Sequence, residues 1–149
     1  MEVPGIVKLW VILWLAGALL LPASPAAAQN PPVASCGLPS GGNISASVTY
    51  TLSADCTQTS VLSTTASNIE VTINGGGHSI TSSGHTLFVL GSAVLTLNDV
   101  TLNGGGLEFP QFVQAARLNA TRASFINLGR GSALAANQMN LNNVYLAFN

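Results

Sequence analysis

Charge is what this 149-residue chain has least of. Only 6% of its residues are Asp, Glu, Lys or Arg, and the formal net charge is -1. An ordinary soluble domain carries about 25%. There is no basic surface to neutralise phosphates, which excludes nucleic acid as a partner. There is no acidic run, and no polybasic stretch for anionic lipid. Cysteine is nearly absent too: Cys36 and Cys56 are the only two. With no histidine near them they make no zinc site. No stretch beyond the N-terminus carries a helical period of 3.6. Gly, Ser, Thr and Asn stand where charges usually stand.

The N-terminus is the one long apolar run. Ile6 to Leu21 is interrupted only by Lys8 and Gly17, Pro22 ends it, and Ala26-Ala27-Ala28 precedes Gln29. The run is shorter than the roughly 20 residues a bilayer span needs. Followed by small residues, it reads as a cleaved secretory signal over 1–28, meeting the membrane only during export. The mature chain is then secreted, extracellular or displayed on the cell surface. Residues 29–35, with Pro31 and Pro32, read as a linker. In an exported protein Cys36 and Cys56 are expected to form a disulfide. Seven charges remain outside the leader: Asp55, Glu70, Asp99, Glu108, Arg117, Arg122 and Arg130.

A repeat organises the chain from residue 69 onward. Val71-Thr72-Ile73-Asn74, Leu95-Thr96-Leu97-Asn98, Ala116-Arg117-Leu118-Asn119 and Met139-Asn140-Leu141-Asn142 align as apolar, polar, apolar, Asn. That alternation is the period of a strand with one buried face. The alternation restarts after each Asn in shifted phase, which predicts a sharp corner there. Asn tolerates left-handed backbone and bonds locally, so it suits a corner. Stacked corners would let Asn74, Asn98, Asn119 and Asn142 bond to one another as a ladder. A third apolar stretch recurs at 87–90, 107–112 and 133–136. Three short strands per repeat make one triangular coil, and stacked coils make parallel sheets. A leucine-rich repeat has a similar period, but its signature is missing. A β-sandwich of hairpins is the alternative, and it would not need Asn in one phase four times. Residues 36–68, with the strand-like Ser47 to Leu52, are expected to form an N-terminal cap and the first coil, and 69–149 the repeats.

Two segments carry a family resemblance. Tyr50-Thr51-Leu52-Ser53-Ala54-Asp55, and then Val71-Thr72-Ile73-Asn74-Gly75-Gly76-Gly77-His78-Ser79-Ile80, resemble the opening coils of right-handed parallel β-helix proteins. These are the pectate-lyase-like proteins and their non-enzymatic relatives on bacterial surfaces. The resemblance spans about residues 45 to 149. It implies an all-β, right-handed parallel β-helix of about four to five coils. It does not choose between enzyme and binding module, because that fold hosts both.

The chemistry-bearing residues are sparse. Glycan hydrolysis needs two carboxyl groups flanking one bond, and calcium needs several oxygen ligands together. The mature acids are scattered, so no catalytic or metal set is assigned and no cofactor is expected. Asp99 reads as a residue bonding locally at its corner. Glu70 and Asp99 could approach across adjacent coils. Glu108 and Arg130 fall near the third-stretch face and are the candidates for a ligand face. His78 and His85 read as turn histidines. Gly75-Gly76-Gly77 lacks the G-x-x-x-x-G-K pattern of a phosphate loop. Asn43-Ile44-Ser45 and Asn119-Ala120-Thr121 match the glycosylation sequon, and a glycan on Asn119 would conflict with the ladder. The Thr columns suggest an ice-binding array, but in this alignment Arg117 and Asn140 break it. The last residues, Asn143 to Asn149, are a full-strength repeat with nothing polar to close the stack. The chain is therefore expected to be the N-terminal part of a longer protein, incomplete at its C-terminus, or to be continued by a stacking partner. The function expected is an exported structural or binding module, surface- or adhesin-like, with a polysaccharide or cell-surface glycan as its partner. The alternative is a polysaccharide lyase or glycoside hydrolase whose catalytic coils lie beyond residue 149.

Overall fold

The structure is a computed structural model. It describes residues 29–106, 111–129, 132 and 134–148. The leader assigned to 1–28 lies outside the described residues.

Alternating apolar residues dictate short extended segments, and stacking supplies the burial that one segment cannot reach alone. Twelve strands result among the described residues. They are β1 (Gly42–Asn43), β2 (Val48–Thr51), β3 (Cys56–Gln58), β4 (Leu62–Ser63), β5 (Glu70–Asn74) and β6 (Ser79–Ser82), then β7 (Phe88–Asn98), β8 (Thr101–Asn103), β9 (Val113–Thr121), β10 (Ser124–Leu128), β11 (Leu134–Asn142) and β12 (Tyr145–Phe148). Every pairing is parallel. The chain winds as a parallel β-solenoid of about four turns. One sheet stacks β3, β6, β8, β10 and β12 in that order. The other carries β2, β5, β7, β9 and β11, with β4 and β1 joined to the first half of β7.

The cross-section differs from the expected three separate strands per coil. The third stretch and the first strand of the next coil run together as the long strands β7, β9 and β11. In β7 the pairing slips between Leu90 and Val94, so Gly91, Ser92 and Ala93 bulge. Gly91 sits at φ +30 there. A bulge of this kind bends a strand without ending it, and the coil turns this corner inside one strand.

The register also corrects the repeat alignment. Thr72 pairs with Thr96, Thr96 with Asn119, and Asn119 with Asn140. Asn74 pairs with Asn98, Asn98 with Thr121, and Thr121 with Asn142. The third repeat is thus displaced by two residues from the sequence alignment. Asn119 lies in the Thr72 column, and Thr121 takes its place at the corner. A slip of two keeps every side chain on its own face, so the apolar pattern is blind to it. The corners carry the signal. Asp99, Arg122 and Asn143 all have positive φ, at 51, 49 and 53°. Each follows a ladder position directly, which marks Thr121 as the corner residue of its coil.

The inward columns form one core. Phe88, Phe112, Phe125, Ile73, Leu95 and Leu97 are completely buried in it. The N-terminal side is covered by residues 36–44, whose backbone bonds to the first coil: Ser53 N–H donates to Cys36 O at 3.0 Å, and Ser60 N–H to Ser40 O at 3.1 Å. Leu38 and Ile44 bury their side chains there. The expected disulfide is present, with Cys36 and Cys56 joined across a separation of 20 residues. Closing a loop of that size stabilises by about 3 kcal/mol in the chain-entropy model. Reduction, or the double change Cys36→Ala with Cys56→Ala, is expected to lower the unfolding free energy by about that amount. Urea melts of the oxidised and reduced protein check it. Equal midpoints would show that the cap holds without the bond.

On the opposite side Met139, Leu141 and Leu146 continue the inward columns, in register with Leu118, Ala120 and Phe125. They are 40%, 44% and 42% exposed, so this last coil presents an apolar face.

Candidate functional site

The structure concentrates organised polar chemistry on the outer face of β5, β7, β9 and β11. Alternate residues of an extended strand point to one side, so two outward columns run along the stack. One holds Thr49, Thr72, Thr96, Asn119 and Asn140; the other holds Thr51, Asn74, Asn98, Thr121 and Asn142. Side chains bond along the columns. Asn98 Nδ2 donates to Asn74 Oδ1 at 3.0 Å, Asn119 Nδ2 to Thr96 Oγ1 at 3.3 Å, and Asn140 Nδ2 to Asn119 Oδ1 at 2.8 Å. An Asn amide can donate two hydrogen bonds and accept two. Asn119 spends one donor and one acceptor on its two ladder bonds, which leaves one of each.

Of the expected ladder, Asn74 and Asn98 bond as foreseen. Asn119 belongs to the neighbouring column with Thr96 and Asn140, and Asn142 stands in register with Thr121. A second ladder lies on the other sheet, where Asn127 Nδ2 donates to Asn103 Oδ1 at 3.1 Å. The apolar pattern after the corner gives no sign of it, because Asn103 and Asn127 are polar and stand five and eight residues beyond Asn98 and Asn119. Asn119 has both ends of its amide engaged, whereas Asn43, the other sequon asparagine, is exposed.

The charged residues border this face. Ser47, Glu70, Val94, Arg117 and Gln138 form a third outward column. Glu70, Val94, Arg117 and Gln138 are paired in register, and Ser47 Oγ accepts from Glu70 N–H at 3.0 Å. Glu70 Oε1 accepts from Thr96 Oγ1 at 2.9 Å, and Arg117 Nε donates to Gln138 Oε1 at 2.9 Å. Glu70 pairs with Val94, while Asp99 follows Asn98 at the far end of β7, so the structure does not bring these two acids together. Glu108 and Arg130 lie outside the described residues. Among the described residues no three His, Cys, Asp or Glu side chains converge. Two open depressions follow the bend beside the ladder face. One, of about 370 Å³, is lined by Val94, Ala116, Arg117, Asn137 and Gln138. The other, of about 580 Å³, touches Gly91, Gln114 and Leu134. Among the described residues, Arg117 is the charged group that lines these depressions.

His78 and Asp55 meet at the first corner, with Nδ1 and Oδ1 3.6 Å apart. Asp55 Oδ1 accepts the Ser79 backbone N–H at 2.8 Å. That bond holds the Asp55 carboxyl below its ordinary value, with the Ser79 hydroxyl next and the His78 charge a smaller contribution. A depressed carboxylate stabilises the fold above its unfolded pKa of about 3.9. The contribution is lost as pH falls through the lower, folded value. Asp55→Asn is expected to flatten the acid limb of the stability curve below about pH 4, because the contribution is then missing at neutral pH as well, where the loss is small since Asp55 is exposed. Denaturant melts across that range check it, and an identical acid limb in the variant would contradict it. His85 is the other expected turn histidine. Its turn is tied by Ser82 Oγ, which accepts from His85 N–H at 3.0 Å and donates to His85 O at 2.6 Å.

The fold and this face define the class of the molecule: a parallel β-solenoid with an outward polar ladder. Comparison with models of known protein families, with curated proteins and with solved structures finds no match for this chain.

Proposed function

We propose that this chain is an exported structural and binding module that presents the ladder face of its solenoid to an external surface. The observation that carries this reading is the pair of uncharged Thr and Asn columns, in which side-chain hydrogen bonds tie Asn74 to Asn98 and Asn119 to Thr96 and Asn140. A disulfide between Cys36 and Cys56 supports an oxidising, extracellular location. The apolar leader supports export. The resemblance of Tyr50 to Asp55 and Val71 to Ile80 to pectate-lyase-like β-helix proteins supports the fold alone; the surface or adhesin-like role, with a polysaccharide or cell-surface glycan as the partner, rests on the Thr and Asn face. A flat face of hydroxyls and amides suits a neutral, hydroxyl-rich ligand, and rigid groups lose little entropy when they bind.

The test is to incubate the full chain with insoluble polysaccharides and with soluble pectin. The expected result is retention on a polysaccharide without turnover. Release of unsaturated or reducing sugars would overturn the reading in favour of a lyase or hydrolase.

A further inference from the structure

The corrected register changes what the ladder face can be. In the sequence alignment Arg117 and Asn140 interrupt the Thr columns; Asn140 keeps its place in the structure as a ladder residue bonded to Asn119. In the structure Arg117 pairs with Val94 and Gln138 in the bordering column, and Asn119 takes the place beside Thr96. The two ladder columns are therefore free of charge along all five strands that carry them.

Their geometry is a lattice. Neighbouring positions within a column lie about 4.8 Å apart, set by strand spacing, and the two columns stand about 6.6 Å apart, set by alternate residues of one strand. Every position is a hydroxyl or an amide, able both to donate and to accept. Neither column contains an aromatic ring to stack on a sugar. Thr also contributes an outward methyl, so part of each cell is apolar. The ladder bonds hold Asn74, Asn98, Thr96, Asn119 and Asn140 in place, so waters bound to them take positions that repeat with the coil.

Fixing such waters from the bulk liquid costs entropy, up to about 2 kcal/mol each. At the surface of ice that ordering has already occurred, and its oxygens too repeat in two dimensions with spacings of a few ångströms. A rigid, charge-free array of donors and acceptors then binds the ordered form in preference to the liquid. We infer that the two-column Thr/Asn face is an ice-binding surface, with ordered water as its ligand. This rests on the reading of the same face as the module's binding surface. Glu70 and Arg117 on one flank, and Asp99 and Arg122 at the corners, limit the array to a strip two columns wide.

The experiment uses the full chain with its disulfide intact and three probes: a slowly growing ice hemisphere, polycrystalline ice held just below freezing, and insoluble polysaccharide. The protein is expected to concentrate in the growing ice and to arrest recrystallisation. Thr72→Lys places a mobile charge inside the array, between Thr49 and Thr96, and Thr49→Lys does so at an exposed position. Both are expected to lose the two ice activities while keeping the wild-type circular dichroism. Thr57→Lys, exposed on the other sheet, is expected to keep them. Exclusion of the wild-type chain from ice, or equal loss in all three variants, would overturn the ice inference. Polysaccharide retention without ice activity would sink this inference and leave the wider binding reading standing. Retention on neither would remove both.

Discussion

Phe88→Ala is expected to lower the unfolding free energy by about 3–5 kcal/mol, the range for deleting a buried aromatic side chain. Phe88 is completely buried at the start of β7. It pairs with Leu62 of the preceding coil and Val113 of the following one. Removing the ring leaves a void that neither neighbour can fill without shifting a coil. In a solenoid each coil contacts only the adjacent ones, so the damage is felt at two interfaces and transmitted to the rest of the stack. Chemical denaturation of the wild type and the variant measures it. A useful comparison is Val89→Ala, one residue along and half-buried on the outer side of the same strand. It is expected to cost less than about 1 kcal/mol, the scale of small effects at surface positions. If the two variants lost similar stability, the inward and outward assignment of β7 would be wrong.

That assignment was legible from the sequence because it needs only the parity of each residue. Val71, Ile73, Leu95 and Leu97 alternate with polar neighbours, and all four are buried. Parity could not supply the register. Leu118 reads equally well beneath Leu97 or beneath Leu95, and the structure places it beneath Leu95. The choice rests on the corner, where Asn98-Asp99 and Thr121-Arg122 carry the same left-handed turn with different residues. Asp is a familiar left-handed residue, while Arg is not. An alignment by residue type therefore chose Asn119 as the corner. The merging of two strands into β7 was hidden for a similar reason. Gly91-Ser92 looks like a break between strands, yet backbone that bulges there keeps the sheet continuous. The ladder was half legible for the same cause as the register: Asn74 and Asn98 fell in step, and Asn119 and Asn140 form their own bond one column away. The disulfide needed only the count of cysteines and the compartment that the leader implies.

Gly75→Ala is expected to cost about 3 kcal/mol, the upper end of the range for overpacking. Gly75 follows Asn74 at the first corner. Its N–H donates to Asn98 O at 2.8 Å, its carbonyl accepts from His78 N–H at 3.0 Å, and Gly77 N–H donates to Asp99 O at 2.8 Å. These bonds dock one corner onto the next. A Cβ added at Gly75 would collide with the Asp99 carbonyl oxygen and with Cα and Cβ of Val100. Two of these atoms are backbone, and Val100 itself is buried, so no flexible side chain can yield. Relief would require the second coil to lift from the third at the point where the Asn74–Asn98 ladder bond also sits. Gly76→Ala provides the contrast. Gly76 has φ +59 with open space around its missing Cβ, so alanine there meets only the left-handed penalty of about 1–2 kcal/mol. Thermal melts of the two variants should therefore rank Gly75→Ala as the more damaging. The opposite order would mean that backbone conformation, and not the close approach of stacked corners, is what glycine supplies at this turn. The same contact controls the ladder face. A lifted corner separates Asn74 from Asn98, so Gly75→Ala is also expected to weaken whatever ligand that face holds, while Gly76→Ala leaves it in place.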